Sequence, residues 1–298
     1  MNTTTNTSDC PELSVPLYVF FTIGLFSLME NLLVVVAVIY NRNLHSPMYF
    51  FMCSLAGFNT IASITKTCEN ILLVFADVGH LEKEGSSETK LDDVIDSLLC
   101  MSFVGSIFSF LAIAVDRFVS IFHALRYHNI MTIRRTGTSL GIIWTTCVVS
   151  AIFLVNFFHF KFIMICFVAL FIIAFVTTCF LYAHIFMLAR IHAKKIGTLN
   201  SGGAEKSHQR SLGSSMRGAL TLTTLFGTFV VCWVPFILHL VILTVCPKNP
   251  YCECFRSLFQ LHVILLMSHA LIDPAIYAFR STELRHTFRK MFLCFKEM

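Results

Sequence analysis

Charge is scarce in this chain. Asp, Glu, Lys and Arg make up 13% of its 298 residues, where a soluble domain carries about 25%. With 56% hydrophobic residues and a mean hydropathy of +0.75, the bulk of the chain has to meet lipid. The N-terminus lacks the basic n-region and short apolar core of a cleavable signal peptide, because the first sixteen residues, MNTTTNTSDCPELSVP, are polar. The first apolar helix must therefore act as the insertion signal. The motifs HExxH and GxSxG and any helix-facing cluster of His and Asp are also missing, which argues against an enzyme.

What is present is a series of apolar stretches, near 17–40, 48–76, 91–123, 135–157, 161–190, 217–245 and 257–280. A spanning helix needs about 20 apolar residues, so the expectation is an all-α membrane protein, a seven-transmembrane-helix bundle. Residues 1–16 form an N-terminal tail, 17–280 the membrane domain, and 281–298 a cytoplasmic amphipathic helix and tail, with almost nothing left for a second domain. Orientation follows from the bases. With the N-terminus outside, 16 of the 22 Lys and Arg fall on the cytoplasmic side, which satisfies the positive-inside rule. The net charge of +5 thus belongs to a basic inner face and not to a nucleic-acid surface. Asn2-Thr3-Thr4 and Asn6-Thr7-Ser8 are N-glycosylation sequons that fit an outer N-terminus.

The outer segments carry eleven acids against five bases, an anionic mouth that attracts cationic ligands. The run Glu82 to Glu88 within it reads better as a solvated loop. Of twelve cysteines, Cys10, Cys246, Cys252 and Cys254 fall on the oxidising side. Four cysteines allow three pairings. Cys246 to Cys252 closes a short loop around Pro247 and Pro250, and Cys252 and Cys254 are too close for an easy mutual bridge, so the expected pairs are Cys246–Cys252 and Cys10–Cys254.

A carboxylate within a spanning helix is costly and marks function by default. Glu69 lies late in the second helix, and Asp92 and Asp96 lie early in the third, where a spacing of four puts them on one face. Asp93 points about 100° away. Converging carboxylates call for a cation, either a hard ion such as calcium completed by ligand backbone and water, or a ligand arginine or lysine. The plainer alternative pairs Glu69 with Lys66 at i, i+3 and leaves the aspartates as helix caps.

About 30 Å further along the third helix stands Asp116-Arg117-Phe118, at its inner end. The sixth helix carries Cys232-Trp233-Val234-Pro235, whose proline removes a helix hydrogen bond and makes a pivot. The seventh ends in Asp273-Pro274-Ala275-Ile276-Tyr277. With Asn31 in the first helix and Trp144 in the fourth, these elements resemble the rhodopsin-like G-protein-coupled receptors. The resemblance implies a latch at Asp116 and Arg117, and moving parts at Trp233, Pro235, Asp273, Pro274 and Tyr277.

Two features depart from that pattern. The start of the third helix, KLDDVIDSLL, lacks the cysteine that usually bridges to the second outer loop, and that loop is itself squeezed between Phe158 and Lys161. A pocket without that lid should stand open to a bulky ligand. Mid helix 2 carries Asn59 where relatives place an aspartate. Sodium should therefore bind weakly.

Glu69, Asp92 and Asp96, the short second outer loop, the CPKNPYCEC segment from Cys246 to Cys254 and the DPAIYAFRS end together resemble a melanocortin receptor over essentially the whole chain. The phrases IFHALRYH at 121–128, CEN at 68–70, GSSETKLDDVIDSLL from 85 and NPYCECFRSLFQ from 249 look most like its corticotropin-binding subtype. The family resemblance implies a peptide hormone agonist with a His-Phe-Arg-Trp core, calcium shared between Glu69, Asp92, Asp96 and the peptide, and coupling to the stimulatory G protein that raises cyclic AMP. It also places Phe236 and His239 in the pocket beneath Trp233, though Phe236 serves equally as packing. The subtype adds corticotropin as the hormone, whose basic second epitope suits the anionic mouth, and a single-pass accessory protein. A plasma-membrane location follows.

The segment Lys194 to Met216 is polar and of low complexity, which predicts a flexible inner loop. The tail STELRHTFRKMFLCFKEM alternates basic and apolar residues as a membrane-surface helix does, and Cys294 in it is either a palmitoylation site or a plain cysteine. PMYFF at 47–51 also resembles odorant receptors, whose MAYDRYVAIC motif and long second outer loop are missing here. A transporter would show inverted repeats or broken helices, and neither is visible.

Overall fold

In lipid the backbone must satisfy its own polar groups, so long apolar segments form helices. The computed structural model describes residues 15–77, 87–157, 160–199, 206–246, 252, 255 and 257–297, and the side chains of most of these. The helices are α1 (Leu17–Tyr40), α2 (Pro47–Asp77), α3 (Ser87–Phe122), α4 (Ile133–Phe157), α5 (Phe160–Leu199), α6 (Lys206–Val245), α7 (Phe259–Arg280) and α8 (Thr282–Glu297). Short 3-10 turns at Arg42–Leu44 and Ala124–Arg126 and one helical turn at Tyr127–Ile130 link them. Among the described residues seven helices, α1 to α7, are long and apolar enough to cross a membrane.

Consecutive helices pack side by side and α1 closes against α7, while α3 touches α2, α4 and α5 and so lies at the centre. The radial polarity is that of a protein in lipid. Ile39, Ile173 and Val231 are at least 65% exposed on the outside, while Ser27, Asn31, Asn59, Ser109, His269 and Asp273 are buried inside. Small residues let the central helices approach closely. Phe58 stacks on Trp144 with ring centroids 4.0 Å apart, and a side chain at Gly105 would run into that Phe58 ring. Trp144 Nε1 donates to Ser54 Oγ at 3.0 Å, and Ser54 meets Ser109 Oγ at 3.1 Å, tying α4, α2 and α3 together.

Only residues 158 and 159 separate α4 from α5. Elsewhere the helices outrun the sequence expectation. The segment 194–216, predicted as a flexible loop, is helical over 194–199 and 206–216. Once a helix is nucleated in the membrane, each added residue gains a hydrogen bond without a new nucleation cost, so polar composition alone does not stop it. In α8, Leu284, Thr287 and Met291 are buried at helical spacing while Glu283, Arg285, Arg289 and Lys290 face outward. Asn41 Nδ2 donates to Thr287 Oγ1 at 2.7 Å and pins α8 to the turn after α1. Cys294 lies in this helix, its side chain outside the described residues.

Candidate functional site

At the end of the bundle that carries the Cys246–Cys252 disulfide, α2, α3, α5, α6 and α7 enclose a cavity of about 410 Å³, within the range of ligand sites. Its wall combines Lys66, Asp93 and Asp96 with Phe103, Phe236 and Phe259. Asp93, about 100° from Asp92 on the helix, shares the cavity with Asp96, while the side chain of Asp92 lies outside the described residues. Glu69 is half-buried one turn from Lys66, whose Nζ donates to its Oε2 at 2.7 Å. Carboxylate oxygens are the donors a hard cation takes, so Glu69 and Asp96 fit calcium in kind, with Glu69 shared with Lys66. Among the described residues no three acidic, histidine or cysteine side chains gather as a metal cage.

Phe236 faces this cavity. His239 instead turns toward α7, where its Nδ1 meets His262 Nδ1 at 3.2 Å between the rings of Phe255 and Phe259. Below the cavity floor, Phe103 sets its edge against Trp233 with centroids 5.9 Å apart. Trp233 is stacked on Phe171 and Phe229 and meets His269 edge-on at 6.1 Å. Its indole N–H and the buried Tyr277 hydroxyl find no partner among the described residues. Such groups are rare in a native interior. Pro235 sits inside α6, two residues after Trp233, and Pro274 inside α7, next to Asp273.

Beneath Trp233 lies a polar layer with a void of about 30 Å³, lined in part by Ser27, Asn59, Ser63, Ser106, His269 and, from above, Lys66. Asn31 Nδ2 donates to Ala270 O at 2.8 Å, Asn59 Nδ2 donates to Asn31 Oδ1 at 3.4 Å, and Ser106 Oγ donates to Asn59 Oδ1 at 3.2 Å. Asn59 therefore uses both halves of its amide, which an aspartate could not do because it only accepts when ionised. His269 Nδ1 stands 3.4 Å from Asp273 Oδ2, both side chains buried.

At the opposite end Arg117 Nη2 and Nε donate to Asp116 Oδ2 at 2.7 and 3.1 Å. Asp116 is fully buried and accepts a further bond of 2.8 Å at Oδ1 from the Tyr127 hydroxyl. Burial raises the proton affinity of that hydroxyl and the Asp116 charge raises it further, so Tyr127 stays a donor.

The structure thus brings Lys66, Asp93, Asp96 and Phe236 to one cavity, with Glu69 attached through Lys66. Trp233, His269 and Asp273 lie in layers below it. Sequence reasoning missed His262, His269 and Tyr127. The i, i+4 spacing of His269 and Asp273 carried a signal, whereas nothing local pointed to Tyr127. Cys246 and Cys252 are joined, their Cα atoms 6.3 Å apart. Cys10, Cys254, Asn2 and Asn6 lie outside the described residues.

Known proteins match this sequence along most of its length. Residues 30–277 match the family described as 7 transmembrane receptor (rhodopsin family). The chain is 45% identical over 288 residues to melanocortin receptor 4 of Danio rerio, covering 96% of this chain and 87% of that protein. It is 42% identical over 285 residues to melanocortin receptor 3 of Mus musculus, with the same coverage of 96% and 87%. The family is one of signalling receptors and not of enzymes. With seven spanning helices around a carboxylate-lined cavity and this extent of identity, the chain belongs to the melanocortin receptors within the rhodopsin family of seven-transmembrane receptors.

Proposed function

We propose that the chain is a plasma-membrane receptor for melanocortin peptides that acts through the stimulatory G protein to raise cyclic AMP. The observation that carries this is the 410 Å³ cavity with Asp93 and Asp96 on its wall and Trp233 under its floor. A cationic peptide core meets the carboxylates, with calcium held between the peptide and Glu69, Asp92 and Asp96. Its aromatic groups meet Phe103 and Phe236. Pressure on Phe103 passes to Trp233, and α6 pivots at Pro235. At the far end Arg117 then leaves Asp116 for a G-protein-facing partner, a two-state transition of a known kind. The excess of bases on the Arg117 side supports an outer N-terminus and a cytoplasmic C-terminus.

Ligand range has two versions. The relatives at 45% and 42% identity are melanocortin receptors 4 and 3, which favours a receptor open to melanocyte-stimulating peptides. The sequence phrases around 68–70, 85–99, 121–128 and 249–260 favour restriction to corticotropin with an accessory protein. Cyclic AMP in cells expressing the chain, with and without the accessory protein, separates them. A response to the short melanocyte-stimulating peptide without the accessory protein supports the broad receptor, and a response to corticotropin only in its presence supports the restricted one. Silence under all conditions rejects both.

A further inference from the structure

Lys66 is the one lysine or arginine among the described residues that line either cavity, and it lines both. Its ammonium lies 2.7 Å from Glu69 and its side chain is 19% exposed, so it is largely removed from water. The second void, of about 30 Å³, has room for a water-sized group such as an ammonium. Serine hydroxyls and the Asn59 amide on its wall offer acceptors, and the Asp273 carboxylate lies just beyond His269. An ammonium has three donors and a flexible four-carbon stem, which lets it exchange one set of oxygens for another.

We propose that Lys66 is a tethered cation with two seats, Glu69 in the empty receptor and the polar void above Asp273 when an incoming cation takes Glu69. The inference rests on the cation-binding role proposed above for the carboxylates. Lys66 competes with calcium or a ligand cation at Glu69, and in yielding carries one positive charge from the ligand cavity to the layer beneath Trp233. That makes it an element whose position both sites bias, which is what a physical coupling requires. It also gives the missing carboxylate at Asn59 a consequence, because the second seat is weaker than one with an aspartate there and Lys66 favours Glu69.

The test is direct calcium binding by the purified receptor, without agonist or G protein, for wild type, Lys66→Met, Lys66→Arg, Asn59→Asp and the double variant Asn59→Asp/Lys66→Met. Removing the competitor raises calcium affinity about tenfold in Lys66→Met, within the usual span of coupling between sites, whereas Lys66→Arg, whose planar guanidinium is too large for the second seat, stays on Glu69 and binds calcium less tightly than wild type. Asn59→Asp strengthens the second seat and raises calcium affinity where Lys66 is present but not in Lys66→Met. Thermal unfolding in chelator gives a second readout, since Lys66→Met loses stability there and regains it with calcium, while wild type changes less. If wild type binds calcium and Lys66→Met binds it no more tightly, the tethered-cation role is overturned while the cation site stands. An equal effect of Asn59→Asp in both backgrounds overturns the second seat. If no protein in the set binds calcium, either alone or when the measurement is repeated with a saturating melanocyte-stimulating peptide, the cation site itself falls and this inference with it.

Discussion

Arg117 is held by the carboxylate of the residue before it, Asp116, through two bonds of 2.7 and 3.1 Å, and Tyr127 caps the other oxygen of Asp116 at 2.8 Å. Because Asp116 is fully buried and Arg117 is only 22% exposed, this contact is less screened than a surface pair. Asp116→Asn removes the charge and frees Arg117, so agonist-free cyclic AMP rises. A loss of about 1.4 kcal/mol shifts such an equilibrium tenfold. Tyr127→Phe raises it less, because the arginine bonds remain. Unchanged basal cyclic AMP in Asp116→Asn at equal surface expression argues against the latch.

Gly105 faces the ring of Phe58, which is itself stacked on Trp144 and cannot withdraw. Gly105→Ala therefore overpacks the α2–α3–α4 contact at a cost of about 1–3 kcal/mol and lowers the melting temperature of the solubilised receptor. Gly137→Ala, inside α4 with nothing within 4 Å, serves as the control and melts no lower than wild type, because alanine is the better helix former.

The Cys246–Cys252 bridge closes a short loop between α6 and α7. Breaking it with Cys246→Ser releases about 2 kcal/mol of loop-closure entropy to the unfolded chain. Surface expression falls, and the double change Cys246→Ser/Cys252→Ser does no further harm. A double variant much worse than the single one shows that Cys252 has another role.

The polar layer donates where relatives with an aspartate only accept, since Asn59 gives its amide protons to Asn31 and takes one from Ser106. Exchanging choline for sodium at constant ionic strength should leave agonist affinity well within the roughly fivefold change that marks an allosteric coupling. A larger sodium effect contradicts the hydrogen-bonding pattern proposed for Asn59.

Much of the architecture was legible because its cause is local. Seven apolar stretches of spanning length declare seven helices, and the i, i+3 spacing of Lys66 and Glu69 offered as the plainer alternative the pairing that the structure shows. The alternation of basic and apolar residues after Arg280 likewise announced α8. What stayed hidden depends on how helices rotate against one another. Asp93 shares the cavity with Asp96, which follows it at i, i+3, and spacing alone does not say whether that pair or Asp92 and Asp96 faces inward. His239 left the cavity for His262, a partner 23 residues away on another helix. Tyr127 reaches Asp116 only because the chain reverses after α3. The stretches 194–199 and 206–216 misled because composition reports solvation and not whether a helix already nucleated alongside continues.

The most direct test is saturable binding of a fluorescent melanocyte-stimulating peptide to membranes from cells expressing wild type and Asp96→Asn, in buffer with calcium. The account predicts displaceable binding to wild type and a loss of affinity of about tenfold or more in Asp96→Asn, the scale expected when a ligand cation loses a carboxylate partner that the bound peptide shields from water. Equal affinity for the two proteins at equal surface expression would contradict the carboxylate cavity as the place where the peptide is recognised.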